Sequence, residues 1–316
     1  MNALGSLGIP FLCLVDFEME KPVIFRLDEI ESERILYNIN GRTNSDTLTS
    51  PDDGEPIGLV QFPISFEDYK RKYDKVMSHL SYGDSYLTNL TIKTKLNTRA
   101  SLKEIFFRSD AKYRIWYDDQ FTVFSPETFV RIGDGKIFTY PMKGTIDAAV
   151  PNAVEKILKD PKEMAEHVTI VDLLRNDLSE VSQNVRVTRF RYVEEIRTMQ
   201  KNLLQVSSEI QGDLLPGYEK RLGDILLKLL PAGSVSGAPK SKTLEIIRLA
   251  ENEKRGYYAG IVGLFDGHFF DSGVMIRFVE NDKGVLYYRS GGGITVQSTA
   301  ETEYAEAIDK IYVPVN

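Results

Sequence analysis

The sequence contains little of what disulfide or zinc chemistry requires. Among its 316 residues Cys13 is the only cysteine, which excludes an intramolecular disulfide and a cysteine-rich zinc site and fits a reducing compartment. The histidines, His79, His167 and His268, lack the spacing of metal ligands, and we expect His167, beside Glu166, to be structural. No H-E-x-x-H, G-x-S-x-G or G-x-G-x-x-G segment follows a strand pattern. Metalloprotease, serine hydrolase and dinucleotide-dependent functions therefore lose support.

A basic surface and a membrane segment are also lacking. Lysine and arginine number 39 against 46 acidic residues, the formal net charge is −7, and the basic residues are dispersed, which argues against nucleic acid as the principal partner. No apolar stretch approaches the roughly 18 residues of a membrane span, and the first residues lack the basic start and apolar core of a signal peptide. We therefore expect a cytoplasmic protein with no membrane partner.

The composition is that of a globular α/β protein. Hydrophobic residues make up 42% of the chain and charged residues 27%, which is ample material for a large core. Length alone allows two domains, but the best loop candidate is 43–56, and no Gly/Pro/Ser-rich linker follows it. We expect a single domain over residues 1–316, with a short N-terminal β portion, about residues 1–60, folded into it.

Residue periodicity predicts a sheet-rich chain with several amphipathic helices. Helices are expected over 65–80, 162–180, 218–230, 241–251 and 300–312. Strand patterns cover 9–16, 22–27, 34–39, 86–96, 113–117, 121–124, 128–132, 136–140, 185–193, 203–210, 259–265, 269–278 and 285–288. In the helix 241–251, we expect Leu244, Ile247, Leu249 and Ala250 to form the buried face.

A glycine-rich stretch, residues 230–240, connects two of these helices. Gly233 and Gly237 can take backbone angles closed to other residues, and Pro239 suits a first helical turn. A loop that leads into a helix N-terminus offers unpaired N–H groups and the positive end of the helix dipole, so it suits a carboxylate or phosphate. A Walker loop does not fit, since two residues separate the last glycine from Lys240. An ordinary loop with a C-cap glycine is the alternative.

Two pairs of glutamates occur on predicted helices. Glu163 and Glu166, and likewise Glu303 and Glu306, are three residues apart, which places each pair on one helical face. Carboxylates from two facing helices, with water, suit a hard cation such as Mg²⁺. For each pair taken alone, a solvated acidic face is the alternative.

Three further charged residues stand in settings that could carry chemistry. Lys143 follows a strand pattern; such a lysine can have a lowered pKa and act as a nucleophile, the alternative being a surface turn lysine. Glu127, between two strands, could be a general acid if partly buried, and otherwise belongs to a turn. Arg277, central in an apolar strand pattern, needs a partner, which an anionic ligand would supply.

Together these segments resemble the chorismate-utilising enzymes, which include the anthranilate synthase large subunit, aminodeoxychorismate synthase component I, isochorismate synthase and salicylate synthase. The matching segments occur in family order from about residue 60 to the C-terminus: 125–127, 141–145, 160–167, 171–178, 231–240, 255–260, 276–277 and 291–294, with the last glutamate pair. Six or more ordered motifs make the match specific. The fold it implies has two largely antiparallel β-sheets packed together with helices outside.

The resemblance also implies roles for individual residues. Glu166 and Glu306 would hold Mg²⁺ directly, with Glu163 and Glu303 close by, and the ion would bind one carboxylate of chorismate. Glu127 would be the general acid that helps to expel the C4 hydroxyl. The remaining substrate contacts would come from Thr145, Ser234, Gly237, Tyr258, Arg277, Gly291, Gly292 and Gly293.

Within the family, Lys143 decides which reaction the resemblance implies. Aminodeoxychorismate synthases carry lysine in this segment, whereas anthranilate synthases carry alanine. In the implied mechanism Lys143 adds to C2 of chorismate as the C4 hydroxyl departs, and ammonia then displaces it by adding at C4. The implied activity is that of aminodeoxychorismate synthase component I, which makes 4-amino-4-deoxychorismate for p-aminobenzoate and folate synthesis, with ammonia from a separate glutamine amidotransferase subunit.

Anthranilate synthase and a catalytically silent chorismate-binding regulator are the alternatives. Two positions also depart from the family pattern. Leu87 stands where ammonia-using members have Gln and isochorismate-forming members have Lys, which disfavours water as the nucleophile. Gln205 stands where the family usually has His, and glutamine cannot exchange a proton near pH 7. The short N-terminal part leaves little room for a tryptophan-binding regulatory region.

Overall fold

The computed structural model describes residues 1–45, 57–196 and 202–314, and in these ranges two β-sheets are surrounded by helices. Most of the loop expected at 43–56 lies outside the described residues. The strands are β1 Phe11–Val15, β2 Val23–Arg26, β3 Ile35–Ile39, β4 Arg42–Thr43, β5 Val60–Phe62, β6 Leu87–Asn97, β7 Tyr113–Tyr117, β8 Phe121–Ser125, β9 Thr128–Gly133, β10 Lys136–Thr139, β11 Met142–Asp147, β12 Gln183–Ile196, β13 Leu203–Asp213, β14 Gly237–Ala238, β15 Ile261–Phe265, β16 Phe270–Val274, β17 Phe278–Asp282 and β18 Val285–Ile294.

The α-helices of the described ranges lie between these strands. They are α1 Asn2–Ser6, α2 Phe66–Tyr82, α3 Leu102–Arg108, α4 Ala153–Lys159, α5 Pro161–Ser179, α6 Leu222–Leu229, α7 Gly233–Ser236, α8 Lys240–Glu251 and α9 Ala300–Asp309. Short 3-10 turns cover Leu27–Glu29 and Tyr218–Arg221. In this part of the chain, none of the helices is long and apolar enough to cross a membrane.

Each sheet contains nine strands of the described residues, and all of the strand pairs are antiparallel. The first sheet has the order β11-β13-β10-β9-β16-β15-β1-β2, with β12 paired to β13. The second has the order β14-β6-β18-β17-β8-β7-β3-β4, with β5 paired to β6. The N-terminal strands thus join the edges of both sheets, β1 and β2 in the first and β3 and β4 in the second.

The main hydrophobic core lies between the two sheets. Buried side chains of β1, β9, β15 and β16 meet those of β3, β7, β8 and β17 there, and α5 and α6 close one side. A second cluster forms where α2, α8 and α9 pack on β6 and β18, and a third where α3 covers β7 and β8. The expected fold class, two largely antiparallel sheets packed together with helices outside, is confirmed.

Local sequence signals explain several helix boundaries. Ser65 accepts a hydrogen bond from the backbone of Asp68 at the start of α2, and Gly83, with φ of 93°, ends that helix. Asp160 caps the start of α5 by accepting from the backbone N–H groups of Lys162 and Glu163. These caps fix where α2 and α5 begin, and α5 carries the first glutamate pair.

The structure corrects the strand expected at 269–278. The chain leaves β16 at Val274, turns through Met275–Arg277 and enters β17, which belongs to the other sheet. The residues on either side of the crossing, Val274, Met275 and Phe278, are buried, so the apolar pattern runs on without a visible break. Arg277 is therefore not central in a strand; it lies at the crossing between the sheets with φ of 53°.

Other boundaries also differ from expectation. The helix expected at 218–230 is a 3-10 turn followed by α6, and α9 ends at Asp309 rather than at 312. Residues 291–293 belong to β18, because that strand stays paired to β6 as far as Ile294. In α8, Leu249 was expected on the buried face but is 52% exposed, and Ile246 is buried instead. Pro239 was expected in the first turn but precedes it as the N-cap.

Candidate active site

A cavity of about 590 Å³ opens where the two sheets meet α5 and the loop before α7. Its wall combines segments that are far apart in the chain. The polar or charged residues of the wall include Glu127, Lys143, Glu166, Gln205, Ser234, Tyr258, Arg277, Arg289 and Lys310, and the backbone of Gly291–Gly293 lies beside them. An apolar part is formed by Phe129, Val130, Ile170, Leu174, Leu178 and Leu229. A concave site with a few convergent polar groups is the usual form of a small-molecule site.

Glu127 lies between β8 and β9 and accepts a hydrogen bond of 2.5 Å from the Ser234 hydroxyl. Burial raises the pKa of Glu127, while the Ser234 hydrogen bond and the charges of Arg277 and Lys310 oppose the increase. The carboxyl therefore keeps its proton to a higher pH than an exposed glutamate. A protonated carboxyl in a cavity wall can donate that proton to a ligand.

Lys143 projects from a β-bulge in β11. The pairing of β11 with β13 shifts register between Met142 and Thr145, and Gly144 has φ of 94°. The Nζ atom lies 2.8 Å from Oε2 of Glu166 on α5. Burial alone would lower the pKa of Lys143, but the combined attraction of Glu166, Glu306 and Glu163, together with the hydrogen bond to Glu166, outweighs it and raises the pKa. In this arrangement the amine is an ammonium group.

The four glutamates expected at a metal site approach Lys143 from two helices. The charge of Lys143 acts on Glu163 and Glu166 of α5 and on Glu303 and Glu306 of α9. A Cβ placed on Gly292 would lie 3.4 Å from a carboxylate oxygen of Glu303 and 3.7 Å from one of Glu306. The two acidic pairs therefore lie around Lys143 at the Gly292 end of the cavity, although only Glu166 among the four carboxylates is part of the cavity wall.

The charges at this end are unbalanced. Glu166 is paired with Lys143, and Glu306 with Lys310. Burial raises the pKa of Glu163, and repulsion from Glu166 adds to it; burial likewise raises the pKa of Glu303. Within the described ranges, no three acidic, histidine or cysteine side chains stand close enough together to hold a metal ion as they are placed. Lys162 adds a third ammonium group, at 3.8 Å from Glu166 but exposed. Four carboxylates against three ammonium groups nevertheless leave one negative charge, and carboxylate oxygen is the ligand type that Mg²⁺ prefers.

Arg277 and Tyr258 also line the cavity, and each precedes a strand. Arg277 stacks over the ring of Tyr312 at 5.2 Å, and no carboxylate of the described residues forms an ion pair with it. Tyr258 is buried, which raises its pKa to about 12, so its hydroxyl stays protonated. A guanidinium group without a carboxylate partner is suited to an anionic ligand.

The residues expected in the substrate site do not all reach the cavity. The glycine-rich stretch 230–240 contributes Ala232 and, from α7, Ser234 and Val235. Gly237 and the first turn of α8 lie outside the wall. Gly237 instead pairs with Thr88 of β6, and a Cβ there would lie 1.9 Å from the Leu87 carbonyl oxygen. The anion site expected at the α8 N-terminus is thus not part of this cavity.

Thr145 is also absent from the wall as described, because it lies beyond the bulge of β11, where it pairs with Gln205. Gln205 itself and Leu87, the two departures from the family pattern, both line the cavity. His167 is fully buried, with Nε2 at 2.7 Å from the Ser208 hydroxyl, as expected for a structural histidine.

Sequence reasoning missed Lys310. It lies just after α9, donates to the Gly291 carbonyl oxygen at 2.9 Å and lines the cavity. The only signal in the sequence is its position four residues after Glu306, which is also common on exposed helices.

Comparison with known proteins agrees with the resemblance. The profile described as chorismate binding enzyme matches residues 23–316. An uncharacterised PabA-like protein of Pasteurella multocida is 49% identical over 314 residues, covering 99% of this chain and 97% of that protein. Aminodeoxychorismate synthase component 1 of Klebsiella aerogenes is 31% identical, covering 78% of this chain and 57% of that protein.

A solved structure supports the same relationship. Anthranilate synthase component I from Streptococcus pneumoniae TIGR4 superposes with a TM-score of 0.69 and 28% sequence identity, covering 83% of this chain and 60% of that one. Because the family profile extends over nearly the whole sequence and the fold is shared, this chain belongs to the chorismate binding enzyme family.

Proposed function

We propose that this protein converts chorismate and ammonia to 4-amino-4-deoxychorismate, the reaction of aminodeoxychorismate synthase component I. The observation that carries the proposal is that Lys143 and Glu127 line one cavity. These are an amine that can add to the ring and a carboxyl that can protonate a leaving hydroxyl. A protein that only bound chorismate would not need the amine.

Chorismate carries two carboxylates, and the wall offers a place for each. Arg277 and the backbone of Gly291–Gly293 are available for one of them. The other would face the glutamate end. When bound to Glu163, Glu166, Glu303 and Glu306, Mg²⁺ would ligate that carboxylate and would neutralise the charges that raise the pKa of Lys143.

The first chemical step forms a bond between the Lys143 nitrogen and C2. As this bond forms, the ring double bonds shift from C1=C2 and C5=C6 to C1=C6 and C4=C5, and the C4–O bond breaks. Glu127 gives its proton to the departing oxygen, which leaves as water. The enzyme is left with a secondary ammonium at C2 and with Glu127 as a carboxylate.

The second step reverses the electron shift. Ammonia adds to C4, the double bonds return to C1=C2 and C5=C6, and the C2–N bond breaks to release Lys143 as a neutral amine. The product carries an ammonium group at C4, and Glu127 regains a proton from solvent. The sum is chorismate plus ammonium giving 4-amino-4-deoxychorismate plus water.

Only the neutral amine can begin this sequence. The ion pair with Glu166 therefore represents a resting arrangement that must open before the reaction. Ammonia would come from a separate glutamine amidotransferase subunit, and the product would enter p-aminobenzoate and folate synthesis.

Anthranilate synthase activity is the second candidate. One observation favours it: the raised pKa of Lys143 describes an ammonium group, which cannot add to a ring.

The experiment that separates the two activities is incubation of the purified protein with chorismate, MgCl₂ and ammonium chloride, followed by mass and ultraviolet spectra of the product. Formation of 4-amino-4-deoxychorismate supports the proposal. Formation of anthranilate, or no consumption of chorismate, contradicts it.

A further inference from the structure

Glu251 and Arg255 form an ion pair that is buried almost completely, with each side chain only 1% exposed. The pair is bidentate: Arg255 donates from Nη2 to Oε1 of Glu251 at 2.6 Å and from Nε to Oε2 at 2.9 Å. The guanidinium group also lies over the ring of Phe17 at 4.5 Å. Neither residue lines the cavity.

Arg255 binds backbone groups of the cavity wall, and Glu251 binds the same strand, β6, just beyond the wall. Arg255 donates from Nη1 to the Val235 carbonyl at 2.7 Å and from Nη2 to the Asn89 carbonyl at 2.8 Å. Glu251 accepts from the backbone N–H and the hydroxyl of Thr91, both at 2.8 Å. One ion pair thus joins the α7 segment to strand β6.

On β6, the pair occupies a stretch of edge that none of the described strands covers. On the edge away from β18, β14 pairs with residues 87–88 and β5 with residues 95–97, and among the described strands none lies between them. Backbone groups left unpaired inside a protein are costly, and the ion pair supplies their partners. Across β6, Thr91 pairs with Gly291 and Asn89 with Gly293, so the position of β6 sets that of the glycine backbone in the cavity wall.

At the α7 segment, the pair holds the residue next to Ser234. Val235 accepts from Arg255 through its carbonyl, and the preceding Ser234 donates to Glu127. Movement of Val235 would therefore lengthen the hydrogen bond to the proposed general acid.

We propose that the Glu251–Arg255 pair is a positioning device that holds the Ser234 hydroxyl and the Gly291–Gly293 backbone in register with each other. Replacing a buried ion pair by apolar residues is often neutral or stabilising, so the attraction between the two charges does not by itself explain such a pair. The part of the inference that concerns Glu127 rests on the proposed function; the part that concerns the glycine backbone requires only chorismate binding.

Two variants test this inference. Arg255→Lys keeps a positive charge beside Glu251, but an ammonium group cannot replace the planar fork that reaches two carbonyls and a carboxylate at once. The double variant Glu251→Leu with Arg255→Met replaces the pair by apolar side chains. The matched control is Arg114→Lys. Arg114 is also buried and donates to a backbone carbonyl, that of Ser109. Arg114 and Ser109 both lie outside the cavity wall.

We expect the double variant to stay folded but to melt below the wild-type temperature, because the Val235 and Asn89 carbonyls and the Thr91 N–H lose their partners. It should lose kcat by about 10- to 100-fold, because small misplacements of groups in an active site have effects of that size. Both variants should bind chorismate about 10-fold more weakly by calorimetry, as expected when about 1.4 kcal/mol of binding free energy is lost, whereas Arg114→Lys should bind it normally. The limb of the pH–rate profile that reports Glu127 should move to higher pH, because Glu127 loses the Ser234 hydrogen bond while Arg277 and Lys310 remain. In a Ser234→Ala background, Arg255→Lys should cause no further shift.

Three results would overturn the inference. One is folded variants with wild-type kcat, chorismate affinity and pH profile. The second is a further shift of the pH–rate profile when Arg255→Lys is added to the Ser234→Ala variant. The third is loss of the folded state in both variants but not in the control, which would make the pair structural. If the wild-type protein makes no 4-amino product, the proposed function fails by itself, and weaker chorismate binding by Arg255→Lys still supports the positioning role.

Discussion

The amine of Lys143 and the carboxylate of Glu166 lie 2.8 Å apart, although one residue is on a bulged strand and the other is on the long helix α5. This contact joins the proposed nucleophile to the proposed metal site. It means that the two chemistries cannot be independent: whatever neutralises Glu166 also changes how readily Lys143 gives up its proton.

Replacing this amine separates catalysis from binding. We expect Lys143→Ala to reduce formation of the 4-amino product by at least about 10³-fold, since no other group forms the bond to C2. Chorismate binding, measured by calorimetry, should be retained. Lys162→Ala is the control, because Lys162 also lies near Glu166, at 3.8 Å, but is exposed. Unchanged turnover of Lys143→Ala would rule out the covalent mechanism.

Replacing Glu127 should affect activity and stability in opposite directions. Glu127→Gln removes the transferable proton, and we expect kcat to fall by about 10²- to 10⁴-fold. Because burial raises the folded-state pKa of Glu127, its ionisation destabilises the fold as pH rises through that pKa. Glutamine does not ionise. The difference in melting temperature, variant minus wild type, should therefore be more positive at pH 8 than at pH 4.

The matching control is Glu67→Gln, because the Glu67 side chain is 86% exposed. It should change neither kcat nor the pH dependence of the melting temperature. A Glu127→Gln variant whose melting temperature differs from wild type by the same amount at both pH values would show that Glu127 ionises as an exposed glutamate does.

Magnesium should bind the free protein. The unbalanced charge of the two glutamate pairs predicts that MgCl₂ raises the melting temperature, by an amount equivalent to about 2.7 kcal/mol when the ion is at 100 times its dissociation constant. Titration calorimetry should show this binding in wild type and in Glu301→Gln, which changes an exposed residue of the same helix. It should be lost in Glu303→Gln. Equal binding by the two variants would place the ion elsewhere.

Two neighbouring glycines of β18 should respond differently to an added methyl group. A Cβ on Gly291 would lie 2.3 Å from the Leu90 carbonyl oxygen of β6, so Gly291→Ala should destabilise the protein by about 1–3 kcal/mol in denaturant unfolding. A Cβ on Gly292 has ordinary contacts at 3.4 Å and beyond, so Gly292→Ala should fold normally. It should weaken chorismate binding, because the methyl group projects toward Glu303. The reverse order of stability would contradict the placement of β18.

Much of the fold could be predicted because the strands and helices carry strong local signals. The Ser65 cap and the apolar spacing of α2 predicted that helix, and alternating or apolar runs predicted most strands. Arg277 shows the limit. Where two buried strands follow one another, the apolar pattern does not reveal that the chain changes sheets, so the left-handed turn at Arg277 was not visible.

Only part of the candidate site could be predicted, because a local pattern does not show how segments are arranged in space. Ordered motifs identified Lys143, Glu127 and Ser234, but local sequence does not show which face of a loop meets the cavity. Gly237 was expected beside Ser234, yet it pairs with β6. Lys310 was missed because a lysine at the end of a helix is usually a surface residue.

The position of the new nitrogen on the ring distinguishes amination at C4 from amination at C2. The protein would be incubated with chorismate, MgCl₂ and ¹⁵N-ammonium chloride, and the carbon bonded to the label would be identified by nuclear magnetic resonance. We expect the label on C4, and we expect Lys143→Ala to abolish this product. A label on C2, or release of labelled anthranilate, would contradict the proposed function.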